Sequence, residues 1–464
     1  MNNILKRDRR NVKNPNLRIK LCNSIFQRGN INMTINISDT LKSLERSATL
    51  EINEEVKKKR KEGKKVLHMG FGESPFEVHP HIKKALIDNA HRKSYLPTQG
   101  LPELREAISG FYERKFGLHY DPSQIIVGPG SKELIFDSLL TIKGDLILPV
   151  PFWVTYEPQA KVMGKNVTRI PTKYEDGYLI TKAGLEEVME RLPASKKAQQ
   201  GILLINSPCN PTGTTFSKNR LKEIADFARE NKIIVISDEI YGLITFEGIE
   251  HHSIAHEYPE GTIVTGGLSK HQSLGGYRLG VALIPQGEKE FLEKMLSIGS
   301  ETWSCASAPI QYAAIAAYSE NQSNEKFIKD CTGVHEIVTK YVYSRFVEIG
   351  IKCPEPVGAF YLFPDFKPFA EKLEKANVST DEGLCKDLLE KVSVAMLPGT
   401  DFGMSKEELF TRIATVDYDG KIALDTYLES KDKWKKDRET FVETACPNVI
   451  AACNQIEKYL NQLS

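Results

Sequence analysis

The chain has 464 residues, 41% hydrophobic and 27% charged, enough for a large core and for two domains. Its 62 Lys and Arg nearly cancel 61 Asp and Glu, so the net charge of +1 gives no global attraction to nucleic acid, and no apolar run is long enough to span a bilayer. Eight scattered cysteines without a CxxC pair and ten histidines without ligand spacing argue against a disulfide frame or a metal site, and fit reduced thiols in a cytosol.

Residues 1–32 carry Lys6, Arg7, Arg9, Arg10, Lys13, Arg18, Lys20 and Arg28 against the single acid Asp8. They read as a basic, disordered extension ahead of Met33, with an organelle transit peptide as the competing reading. The mixed-sign run Glu51–Lys65 reads as a solvated helix face. From Lys65 onward, short apolar runs alternate with amphipathic helices. Strands are predicted at Lys65–Met69, Ile125–Val127, Asp145–Leu148, Gly201–Asn206, Ile233–Ser237, Thr262–Thr265 and Leu279–Ile284, with helices such as Ser131–Ile142, Leu185–Leu192 and Asn219–Asn231 between them. The alternation predicts an α/β fold with a mainly parallel central sheet flanked by helices. A helix over roughly Asn324–Gly350, strands at Ala359–Phe363, Val392–Leu397 and Thr411–Val416, and a last helix at Cys446–Leu463 suggest a smaller α+β domain. The expected division is 75–330 for the large domain and 33–74 with 331–464 for the small one.

Ligands of open α/β sheets sit at the carboxyl ends of strands, so the residues just after each apolar run carry the chemistry. Gly128-Pro129-Gly130-Ser131-Lys132 opens a helix whose N–H groups suit a phosphate, although it lacks P-loop spacing and a plain helix cap by Ser131 explains it equally well. Trp153 offers a stacking face, or simply a core aromatic. In Ser207-Pro208-Cys209-Asn210-Pro211-Thr212-Gly213 two prolines stiffen a loop, from which Asn210 can donate to a phenolate oxygen; a structural turn is the alternative. Asp238 follows a buried β-branched run, where an acid is costly unless it meets a cation such as a protonated ring nitrogen, and Tyr241 lies three residues on. Lys270 sits in the glycine-flanked stretch Gly266–Gly280 with Arg278 eight residues later. Most lysines are merely solvated, but a crowded setting beside a second cation favours the unprotonated amine that attacks carbonyls, and Arg278 can hold a phosphate.

The order Tyr95-x4-Gly100-x3-Leu104-Arg105, Gly130-Ser131-Lys132, Pro151-x-Trp153, Asn206 to Gly213, Ser237-Asp238-Glu239-Ile240-Tyr241, Ser269-Lys270-x7-Arg278, Pro398-Gly399-x-x-Phe402-Gly403 and Arg412 resembles the class I/II aminotransferases of pyridoxal-phosphate fold type I. The resemblance runs from about Ser38 to the end and is closest to the aspartate/aromatic branch. It implies that Lys270 links to the aldehyde of pyridoxal 5′-phosphate and then shuttles a proton, that Asp238 keeps the ring nitrogen protonated, and that Asn210 and Tyr241 bond the phenolate oxygen. It further implies that Trp153 stacks on the ring, and that Ser131, Lys132, Ser269 and Arg278 hold the phosphate. Tyr95 would reach across from the partner in a homodimer, and Arg412 would clamp the substrate α-carboxylate with help from the backbone at Gly72.

The implied reaction moves an amino group from an L-amino acid, of aspartate or aromatic type, to a 2-oxo acid such as 2-oxoglutarate in a ping-pong cycle in the cytoplasm. A lyase or decarboxylase on the same scaffold and a non-catalytic regulator are the competing readings. Phe71, Trp303 and Cys305 are candidates for the side-chain pocket, which leaves the donor open. Three departures from the family pattern stand out. Gly267 occupies a position where many relatives carry a hydroxyl or amide, the usual Gly-Glu-Pro is Gly72-Glu73-Ser74, and Tyr418 to Glu443 is longer and more charged than the usual connection.

Overall fold

Residues 35–42, 44–193 and 200–463 are described by a computed structural model. The basic 1–32 extension therefore lies outside the described residues. The described residues divide into two units, on either side of Leu44–Glu45. In the first, the described residues contain one short 3-10 turn, Asp39–Leu41, and all are exposed.

In the second unit a two-residue strand, β1 (Leu67–His68), precedes the main sheet. That sheet comprises β2 (Ile125–Gly128), β3 (Asp145–Val150), β4 (Val167–Pro171), β5 (Gly201–Asn206), β6 (Ile234–Asp238), β7 (Thr262–Gly267) and β8 (Gly280–Leu283), in the spatial order β2-β8-β7-β6-β5-β3-β4. Six of the seven predicted runs fall on its strands, while β4 has no counterpart among them. Pairing is parallel throughout, except that β8 runs antiparallel to both β2 and β7. β5 reads Gly-Ile-Leu-Leu-Ile-Asn without polar alternation because helices cover both faces of the sheet, and five of its six residues are buried. The helices begin where the sequence offers caps: Thr181 accepts from the Gly184 N–H at 3.1 Å and Ser217 from the Arg220 N–H at 3.3 Å.

The C-terminal part is built on the helix Gln322–Glu348, which packs with three short strands: β9 (Tyr361–Leu362), β11 (Leu397–Pro398) and β12 (Thr411–Ala414), arranged β11-β12-β9. The predicted strand Val392–Leu397 is divided in two. Ser393 adopts a left-handed φ of 57°, β10 (Val394–Ala395) then pairs in parallel with β1, and β11 turns away to pair with β12. The long connection after Tyr418 folds into helices Gly420–Glu429, Lys431–Lys436 and Arg438–Ala445. Trp434 is buried in this bundle and donates through Nε1 to the Thr426 carbonyl at 2.7 Å, while Lys431 pairs with Asp330 of the long helix. Among the described residues, no helix is long and apolar enough to cross a membrane, and no cluster of side chains suits a metal ion.

Candidate active site

The carboxyl ends of β3, β5, β6 and β7 open onto a cleft of about 440 Å³. Because β8 is antiparallel, its start rather than its end lies at this rim, so Arg278 joins residues delivered by the parallel strands. Ser131, Lys132, Trp153, Asn210, Asp238, Tyr241, Ser269, Lys270, Arg278, Arg412 and Gly72 all line the cleft. Of the other candidates, Phe71 lines it too. Trp303 and Cys305 do not: the indole donates to Asp137 Oδ2 at 3.2 Å, and the thiol accepts from the Leu96 N–H at 3.5 Å. Tyr95 is 88% exposed and outside the cleft lining.

The floor is the carboxylate of Asp238, buried at the last position of β6. Tyr156 donates to Oδ2 at 2.7 Å and the Ile240 N–H to Oδ1 at 3.3 Å. Burial outweighs these donors and the nearby Lys270 charge and pushes the carboxyl up to about 6. Next to it Asn210 is held by its own N–H, which donates to Asn206 Oδ1 at 2.7 Å, while its side-chain Oδ1 is buried without a partner. Tyr241 shares a hydrogen bond of 2.8 Å with Tyr361, and burial drives its phenol well above the usual range.

Lys270 Nζ lies 5.6 Å from the centre of the Tyr241 ring and donates to the Gly72 carbonyl at 2.9 Å. Lys132 Nζ stands 5.0 Å from the Trp153 ring centre, and burial, with Arg278 and Lys270 nearby, lowers its pKa. At the far rim, Ser131 starts a helix directly after Gly130, whose φ of 102° favours glycine. A Cβ at Gly280 would come within 2.1 Å of the Ser131 N, so a glycine there lets the β8 backbone and the helix N-terminus close up beneath the rim. That is a cradle of backbone N–H dipoles with Arg278 beside it, which suits an anion. Opposite, Arg412 on β12 is buried, with one guanidinium nitrogen donating to the Gly70 carbonyl at 2.9 Å and Nε without a partner. Its charge is supported by the Tyr361 ring at 5.0 Å and the Phe402 ring at 5.4 Å.

One cleft thus presents an amine, a buried acid with a raised pKa, an anion cradle and a buried guanidinium with an unpartnered Nε. The sequence pattern of the family described as aminotransferase class I and II matches residues 64–419. The chain belongs to that family. Aspartate aminotransferases of a Bacillus species (strain YM-2) and of Bacillus subtilis are similar to it, at 35% and 33% identity over 79% of this chain and 92% of each relative. Among solved structures, the aspartate aminotransferase of Thermus thermophilus with maleate superposes with a TM-score of 0.77 at 26% identity, covering 92% of this chain and all of that one. The aromatic aminotransferase of Pyrococcus horikoshii gives 0.73 at 28% identity, covering 89% of this chain and 99% of that one. The protein is an aminotransferase with the fold type I architecture.

Several cleft residues of this aminotransferase escape motif reading. Tyr156 stands three positions after Trp153, and its period along the chain gives no hint that it reaches Asp238. Tyr361, Thr49 and Leu50 also line the cleft. Tyr361 lies inside a predicted strand that looks wholly structural, and Thr49 and Leu50 lie on a helix whose charge pattern speaks only of solvent.

Proposed function

We propose that this aminotransferase works with pyridoxal 5′-phosphate. It moves the amino group of an L-amino acid, of aspartate or aromatic type, to a 2-oxo acid such as 2-oxoglutarate in a ping-pong cycle. The carrying observation is the convergence of Lys270, Asp238 and Arg412 on one cleft. The residues fit the cofactor on two further counts: burial raises the Asp238 pKa, a penalty that a protonated ring nitrogen would offset, and the rim at Gly130-Ser131 is closed enough to cradle an anion.

In this reading the anion cradle of Ser131 and Lys132, with Ser269 and Arg278, holds the phosphate, and Trp153 lies against the ring. Asp238 holds the ring-nitrogen proton, itself steadied by Tyr156. Asn210 and Tyr241 bond the phenolate oxygen. When bound, the cofactor supplies a carbonyl carbon that takes up amines and a protonated ring that accepts the electron pair released at the substrate Cα. Arg412 grips the α-carboxylate and orients the Cα–H bond, with Gly72 contributing backbone. Lys270 Nζ takes the Cα proton and returns it on the other side of the exchange.

Tyr95, exposed on its loop, fits a residue that reaches a second copy in a homodimer. In this reading 75–330 is the large cofactor-binding domain and 33–74 with 331–464 the small one. Seven free cysteines among the described residues suit a reducing cytoplasm.

The test is Lys270→Ala combined with a donor panel. The variant loses the visible absorbance of bound cofactor and all transamination. In the wild type, aspartate or an aromatic amino acid yields its keto acid only when a 2-oxo acceptor is added. Full turnover by the variant, or release of ammonia or carbon dioxide without acceptor, overturns the reading.

A further inference from the structure

Ser74 stands where the family pattern usually has proline. It is 6% exposed, and its hydroxyl lies 2.7 Å from that of Ser273 across 199 residues of sequence. Ser273 belongs to the turn that follows Lys270, and its N–H donates to the Lys270 carbonyl at 3.1 Å. It holds a left-handed φ of 56°, a conformation free to glycine, tolerated by asparagine and costly for serine, so the turn keeps a serine at a backbone cost. The residue before Ser74 faces the same turn: a Cβ on Gly275 would come 3.9 Å from the Glu73 carboxylate.

The strap Gly70–Ser74 does more than touch the lysine turn. Its Gly70 carbonyl accepts from Arg412 at 2.9 Å, and its Gly72 carbonyl accepts from Lys270 Nζ at 2.9 Å. One short stretch of backbone therefore touches both the reacting amine and the carboxylate clamp. A Cβ at Gly72 would lie 2.0 Å from the Tyr361 hydroxyl, so the strap is pressed close against that ring. Beside the bond of Lys270 itself, the strap meets the lysine turn through the contact of Glu73 and the Ser74–Ser273 bond.

We propose that Ser74 and Ser273 are a pair of positioning residues whose hydrogen bond locks the Gly70–Ser74 strap to the Lys270 turn, keeping the amine and Arg412 in register when Lys270 leaves Gly72 to react. The proposal rests on the roles given above to Lys270 and Arg412. Because one bond has two ends, losing either hydroxyl has the same consequence as losing both.

The experiment compares Ser74→Ala, Ser273→Ala and the double variant, each loaded with cofactor. All three are expected to lower kcat about fivefold, to raise the KM for the amino donor about threefold, and to move the pH midpoint of the substrate-free visible absorbance by the same amount. Glu73, Lys132, Tyr156, Asp238, Tyr241, Arg278, Tyr361 and Arg412, the charged or titratable groups that line the cleft with Lys270, remain unchanged in every variant. Ser273→Gly relieves the left-handed φ while removing the hydroxyl. It therefore shows the same kinetic and spectral change with equal or higher thermal stability, which separates positioning from folding. Ser273→Asn, which tolerates that φ and restores a hydrogen-bonding group, recovers most of the wild-type midpoint. Additive effects of the two alanines, or an unmoved midpoint in Ser273→Gly, overturn the proposal. Lys270→Ala that retains the visible absorbance would instead overturn the underlying assignment.

Discussion

Asp238 shows how one buried group sets competing demands. The carboxyl titrates near its ordinary value of 3.8 in an unfolded chain and near 6 in the folded, cofactor-free protein, because burial penalises the charged form. Folding therefore takes up a proton between these values, and the stability of the cofactor-free protein falls as pH rises through that window. A gap of about two units corresponds to roughly 3 kcal/mol. Asp238→Asn is expected to make the cofactor-free protein more stable than wild type above pH 6, approaching that amount, and no more stable below pH 4. Urea unfolding of both proteins at pH 4 and pH 8 checks this. The same variant is expected to lose nearly all transamination, since an amide cannot hold the ring-nitrogen proton; a variant that gained no stability at pH 8 would refute the account of the acid. Gly267 is also clarified at this scale. A Cβ there would sit 2.7 Å from the Leu279 carbonyl, so the missing hydroxyl or amide follows from how closely β8 approaches.

Among the elements, strands and helices that bury a continuous apolar run or carry a capping residue were legible from the chain alone. β5 has the predicted bounds, and the last helix, Pro447–Gln462, falls within one residue of its prediction at each end. The failures are equally physical. Val392–Leu397 is one apolar run, but the left-handed Ser393 and pairing with two different partners divide it. β4 has polar, half-exposed residues at the sheet edge and so carries no periodic signal. The helix Gly420–Glu429 has a local cause that sequence alone expresses: Asp419 accepts from the N–H groups of Lys421 at 2.9 Å and Ile422 at 3.0 Å. Asp419→Ala is expected to cost about 1 kcal/mol, read from the denaturant midpoint, with the cofactor absorbance unchanged.

At the scale of the whole molecule, the segment after Tyr418 is part of the C-terminal core rather than a loop draped over it. Trp434 packs 5.7 Å from Phe441 with its ring N–H satisfied, and Tyr418 bonds His335 of the long helix at 3.1 Å. The exposed pair Lys435–Glu247 adds little by comparison, because water screens it. Trp434→Ala is expected to destabilise the protein by about 3–5 kcal/mol, since it removes a large buried side chain and strands the Thr426 carbonyl. Calorimetry on the cofactor-loaded protein measures it, and a loss below 1 kcal/mol would mean that these helices are an independent appendage.

The sequence by itself determined six of the seven strands of the sheet and the order of chemical groups along its rim, because apolar runs and the residues that follow them are local properties of the chain. It also placed Arg412 in the site, through likeness to a family rather than through any local rule. Tertiary structure alone decided which groups face one another. Arg412 meets Gly70 across 342 residues, Tyr241 meets Tyr361 across 120, and Ser74 meets Ser273 across 199. Such contacts depend on how sheet and helices pack, and packing is a sum over distant surfaces that no window of sequence contains.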